Sequence, residues 1–266
     1  MVSPATGASN TARSSEISPG EVSGGTNTSH TIGVEALAPL LAAVPSGAPH
    51  IEYRHAVLER NVLSKKTDGA RRRTFRYLKE LYLLRPDSIL FRALRDLWVD
   101  DSSAQPLLAG LCALARDSVF RASSAAILPC SHGETLMSGD LATAVGDHFP
   151  GSYSESTLAK IGRNTFSSWE QTGHLASGEP SKKVRVRAVC RPANVAYALL
   201  LGHLQGVSGQ ALFETFWAQV LDQPRSHLVD LAFSASQHGL IEFRHAGGVI
   251  DVSFHELLRP FEGELL

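Results

Sequence analysis

The sequence is poor in cysteine: three in 266 residues, Cys112, Cys130 and Cys190, odd in number and far apart. That excludes a disulfide framework and suits reduced, mostly buried thiols in a cytosolic protein. Net charge is nearly absent too. Twenty-five Lys and Arg face 26 Asp and Glu, a formal charge of −1, so bulk electrostatics does not mark a nucleic-acid binder and only local clusters can. No apolar run approaches the roughly 20 residues a membrane span needs. The longest, around residues 34–44, contains Glu35 and Pro39 and fits a short buried helix. The N-terminus lacks a basic segment followed by an apolar one, so no signal peptide is expected and the expected location is cytoplasmic. Glycine-rich phosphate loops, HExxH and paired CxxC are also missing. The eleven histidines are scattered. His132 follows Cys130 closely, but a lone Cys-Ser-His in a Ser/Gly/Pro-rich stretch is more often incidental than nucleophilic. Asp140, Asp147 and Glu155 have no spacing that requires a metal. Neither catalysis nor a cofactor is expected.

What is present is a long series of helical patterns. The hydrophobic share is 43%, enough for one large domain or two small ones with real cores. The first 30 residues are Ser, Thr, Gly and Pro with almost no large apolar side chain, so disorder is expected for 1–30. Helical periodicity marks 51–63, 70–84 behind Thr67 or Asp68 as cap, a segment starting at Ser88, and 106–120, apolar on nearly all sides and so expected at the centre. The Ser/Gly/Pro-rich stretch 123–139 reads as a separator between two helical subdomains, 31–128 and 129–266. Further helices are expected at 140–149, 156–171, 192–204, 209–221 and 225–238. The closing GLIEFRHAGGVIDVSF alternates around Ala-Gly-Gly and predicts a hairpin. The fold class is mainly α, with one or two small β-hairpins.

Two basic clusters stand out. Placing 156–171 on a wheel at about 100° per residue gathers Leu158, Ile161, Gly162, Thr165, Phe166 and Trp169 on one arc of about 140°. Lys160, Arg163, Asn164 and Ser167 fall opposite, with no acid among them, a set suited to phosphates and base edges. SKKVRVRAV follows, with Lys182, Lys183, Arg185 and Arg187 beside valines that pack on a strand. Helix, turn and basic hairpin is the order of a winged helix, in which the helix enters a groove and the wing lies on the backbone. The second cluster, 60–79, holds eight Lys or Arg and one acid, Asp68. Its apolar arc is Thr74, Phe75, Leu78, Leu81 and Tyr82. Arg72, Arg73, Arg76 and Lys79 share the other side, with Lys65 and Lys66 just before. The competing reading is ordinary: a solvated face in the first case, ion pairs with Glu52, Glu59 and their neighbours in the second.

ERNVLSKKTDGARRRTFRYLKELYLL, then LFRALRDLW, then SYSESTLAKIGRNTFSSWEQTGHL resembles the BrxA family, the small helical component of bacterial BREX anti-phage systems. The resemblance covers roughly 50–260 and rests on the order and separation of motifs that are individually weak. It implies an all-helical protein, partly NusB-like, that binds DNA and acts among other BREX-type defence proteins, the role falling on the helices around 71–79 and 160–167. The expected function is therefore a non-catalytic accessory protein binding double-stranded DNA. The alternatives are a protein-interaction scaffold in a defence complex and NusB-like RNA binding. Single-strand readers rely on aromatic-rich strands, which are lacking.

Overall fold

A computed structural model describes residues 16–19, 24–99, 101–178 and 181–260. The helices are α1 (Val34–Ala43), α2 (His50–Leu58), α3 (Asp68–Tyr82), α4 (Ile89–Trp98), α5 (Gln105–Arg116), α6 (Ser118–Ala122) and α7 (Ser124–Ile127), followed by strand β1 (Thr135–Met137). Next come α8 (Ser138–His148), α9 (Glu155–Gln171), β2 (Leu175–Ser177), β3 (Lys182–Arg185), α10 (Pro192–Leu204), α11 (Phe216–Val220), α12 (Arg225–Gln237), β4 (Glu242–Ala246) and β5 (Val249–Ser253). The protein is mainly α with two small antiparallel sheets, as the periodicities predict.

Helix starts follow local chemistry. Side-chain oxygens of Thr67, Ser88 and Ser154 accept from Ala70 N, Phe91 N and Thr157 N, satisfying donors that the first helical turn leaves unpaired. The expected single helix 106–120 breaks in two. Asp117 leaves helical geometry and its Oδ1 accepts from Phe120 N at 2.9 Å, ending α5 and capping α6. The pattern at 209–221 also splits, into a 3-10 turn (Gly209–Glu214) and the short α11. In the hairpin, Phe243 pairs with Val252 and His245 with Ile250. Gly247 and Gly248 turn it with φ of 60° and 80°, the two positive values that a type I′ turn demands.

Helices α5 and α10 form the centre. Every residue from Leu107 to Ala115 is buried, and only Pro192 and His203 of α10 escape full burial. One apolar cluster runs from Ile17 to Leu257 and takes in α1 to α5, α9, α10 and the closing hairpin. The expected boundary at 128/129 therefore does not divide the core. The separator is itself partly helical, because Ser123 and Ser124 turn their hydroxyls back onto the carbonyls of Phe120 and Arg121.

The expected disorder of residues 1–30 is corrected where the chain is described; 1–15 and 20–23 lie outside the described residues. Ile17 is buried, and Glu16 accepts from Ile89 N at 3.2 Å, Leu90 N at 2.9 Å and the Ser88 hydroxyl at 3.0 Å, a carboxylate on the N-terminus of α4. Residues 24–31 lie across α3 and α9, with Thr26 and Asn27 buried. Hydrogen bonds rather than apolar area hold this segment, so its order leaves no trace in hydrophobicity.

Candidate nucleic-acid interface

Strand order β1-β3-β2, with α8 and α9 between β1 and β2, is winged-helix connectivity. It sets α9 against β2 and β3, where Glu170 takes Ser177 and Lys183. Gly162 lets α9 lie on α8: a Cβ there would stand 2.2 Å from the Ser138 carbonyl and 2.9 Å from Ala142 Cβ. Trp169 is buried, its Nε1 donates to Ser123 Oγ at 2.8 Å, and its ring lies 5.0 Å from that of Phe120. Ile161, Thr165 and Phe166 are buried with it, while Leu158 is half-buried. The apolar arc is the packing face.

Opposite it, Lys160 and Arg163 are exposed and Ser167 is half-buried. Among the described residues none of the three has a side-chain hydrogen bond or ion pair. Arg163 also borders a shallow groove between α8 and α9, with Gly139, Thr143 and Ala159 on its walls and Asp147 and Glu155 on its rim. Ser156 and Ala159 are exposed on the same side. The wheel places them there too, but short side chains carry no charge or amide signal in the sequence. Asn164 is corrected: its Nδ2 donates to the Asn27 carbonyl at 3.0 Å, so the amide is committed inside the protein.

The wing is corrected further. Arg185 is 1% exposed; it pairs with Asp222 at 3.0 Å and donates to the carbonyls of Ile127 at 3.1 Å, His174 at 3.3 Å and Val186. It is a core residue. Lys183, with its side chain 13% exposed, pairs with Glu170 at 2.8 Å and sits 4.4 Å over the Phe166 ring. Burial pushes the Glu170 carboxyl up, but hydrogen bonds from Lys183 and Ser177 bring it below the usual carboxylate range. Lys182 is exposed at the start of β3. Arg187 is exposed too, but beyond the end of β3. Side chains alternate across a strand, so Lys183 and Arg185 turn inward where the valines were expected to pack. Asp222 and the Ile127 carbonyl supply the polar partners that make this possible.

On α3, Arg72 pairs with Asp68 at 2.6 Å, Arg71 with Asp68 at 3.9 Å and Arg76 with Glu80 at 3.9 Å. Arg60 meets Glu52 at 3.9 Å. The ion pairs of the ordinary reading thus exist in part. They are solvent-facing and weakened by water and salt, so they leave the cations available to a polyanion. Lys66, Arg73 and Lys79 are exposed and Lys65 is half-buried, their side chains without an ion pair among the described residues.

Residues 24–34 join the two basic helices. Thr26 Oγ1 donates to Glu80 at 2.9 Å, and His30 stacks on Tyr77 at 4.5 Å. On the other side Asn27, Ile32 and Val34 bond α9 through Asn164, Ser168 and Gln171. The basic faces of α3 and α9 therefore border the same segment.

These elements define a mainly α protein in which α8, α9 and the β1-β3-β2 sheet follow winged-helix order, with cations on the outer side of α9. No family model, curated protein or solved structure matches the chain. Among the described residues no helix is long and apolar enough to cross a membrane, and no cluster of three or more His, Cys, Asp or Glu could hold a metal ion.

Proposed function

We propose that this chain is a non-catalytic accessory protein that binds double-stranded DNA in the cytoplasm, within a bacterial BREX-type defence system and alongside its other proteins. The observation that carries the DNA reading is the exposed side of α9. Lys160 and Arg163 stand there without an ion pair among the described residues, next to a wing, on a helix whose opposite face is locked into the core. A second helix in a helix-turn-helix unit enters the major groove in this orientation. The cations of α3 add phosphate contacts. The defence assignment rests on the resemblance of residues 50–260 alone.

The test is a titration of duplex DNA, single-stranded DNA and RNA at several salt concentrations. If Lys66, Arg73, Lys79, Lys160 and Arg163 each neutralise one phosphate, the log–log salt slope for duplex is about −4 to −5. Lys160→Ala with Arg163→Ala should flatten it by about 2. Tighter binding to RNA would favour the NusB-like alternative. No binding to any nucleic acid would leave the scaffold reading.

A further inference from the structure

We infer that residues 24–34 form a strap that holds the basic faces of α3 and α9 in one register, with Asn27 as the positioning residue. This rests on the proposed duplex reading.

Asn27 is fully buried and every polar atom of it is used. Its backbone N and its Nδ2 donate to Asp117 Oδ2 at 2.8 and 3.1 Å; its Oδ1 accepts from Ser168 Oγ at 2.7 Å; its carbonyl accepts from Asn164 Nδ2 at 3.0 Å. Gly25 fits beside it only without a side chain, since a Cβ would lie 2.3 Å from Asp117 Oδ1. The strap bonds continue at Ile32 N to Ser168 Oγ, 3.1 Å, and Val34 N to Gln171 Oε1, 3.1 Å. Asn164, Ser168 and Gln171 are four and three residues apart, one stripe along α9. Lys160 is the same stripe one turn earlier.

The α3 side has the same form. Tyr77 and Glu80 carry the strap contacts, the former with Ser29 and His30 and the latter with Thr26. Arg73 is one turn earlier on that stripe. Tyr82 OH closes the junction on the Ile32 carbonyl at 2.8 Å. On each helix, then, an exposed cation sits one turn from the strap bonds. A rigid strap lets one duplex meet both cations at once; a loose one lets the helices engage only in turn.

The experiment compares the full chain with its Asn27→Ala variant, each with and without Arg73→Ala plus Lys79→Ala, in duplex titrations over salt. With Asn27 present, losing the two cations should flatten the slope by about 2; in the Asn27→Ala background it should flatten by less than about 1. Mere destabilisation cannot produce this difference below the melting temperature. An equal change in both backgrounds overturns the inference. Should the Asn27→Ala variant fail to fold, Ser168→Ala replaces it, removing only the Ser168 hydroxyl bonds. If the full chain does not bind duplex, the DNA reading fails separately and amide exchange decides on the strap. Asn27→Ala should then speed exchange in both 77–82 and 164–171 while 192–204 keeps its protection, and unchanged exchange in either stretch overturns the strap.

Discussion

Replacing Arg185 by Ala separates a core arginine from a phosphate-gripping one. The guanidinium is buried on Asp222 and three carbonyls. Removing one partner of a buried ion pair costs about 3–5 kcal/mol, because the other charge is left uncompensated. Here Asp222 is 16% exposed and keeps His132 at 2.8 Å, which places the cost near the lower end, about 3 kcal/mol. Against a typical total of about 5–15 kcal/mol, that is a large shift in urea midpoint, readable from the fluorescence of buried Trp169 and Trp217. The duplex salt slope, measured where the variant is still folded, should not change. A variant as stable as the parent, with a slope flattened by about 1, would refute this reasoning and return Arg185 to the wing.

Gly162→Val should cost about 1–3 kcal/mol by thermal melting, since its side chain must push α9 off the Ser138 carbonyl. Trp169→Ala should cost about 3–5 kcal/mol as a large buried aromatic; loss of duplex binding with unchanged melting would mean the faces of α9 are reversed. His174 is fully buried, with Nε2 2.8 Å from the Val220 carbonyl, and burial lowers its pKa from 6.5 to about 4. The unfolded chain then binds a proton that the folded one refuses, so stability is full above pH 6.5 and falls as pH drops toward 4. The expected loss from pH 7 to 5 is about 2 kcal/mol in urea unfolding, and a His174→Gln variant should lack that component. Burial pushes the thiols of Cys112 and Cys190 up to about 12, and partial burial with the Glu134 carboxylate that accepts from its Sγ pushes that of Cys130 up to about 11. Iodoacetamide at about pH 8 should therefore leave all three unmodified in the native protein and label all three in denaturant.

The periodicity of 70–84 and 156–171 is a local property, because apolar residues three and four apart define a face whatever lies against it. Caps at Thr67 and Ser88 and the Gly-Gly turn are local as well. All of these were legible in the sequence, as was the mainly α class. Tertiary structure decided which polar groups are free. Asp222 takes Arg185 from 37 positions away and Glu170 takes Lys183, so two of the four expected wing cations are spent inside. Asn27 takes Asn164 across 137 positions, an amide the wheel alone had left to a partner. The same distance hid the strap. Apart from Ile32 its residues bury little apolar surface, and what orders them is a set of donors and acceptors on α3, α6 and α9 that meet only once the core has formed. A hydrogen-bond partner far along the chain leaves no period and no composition bias, so only the assembled fold could assign it.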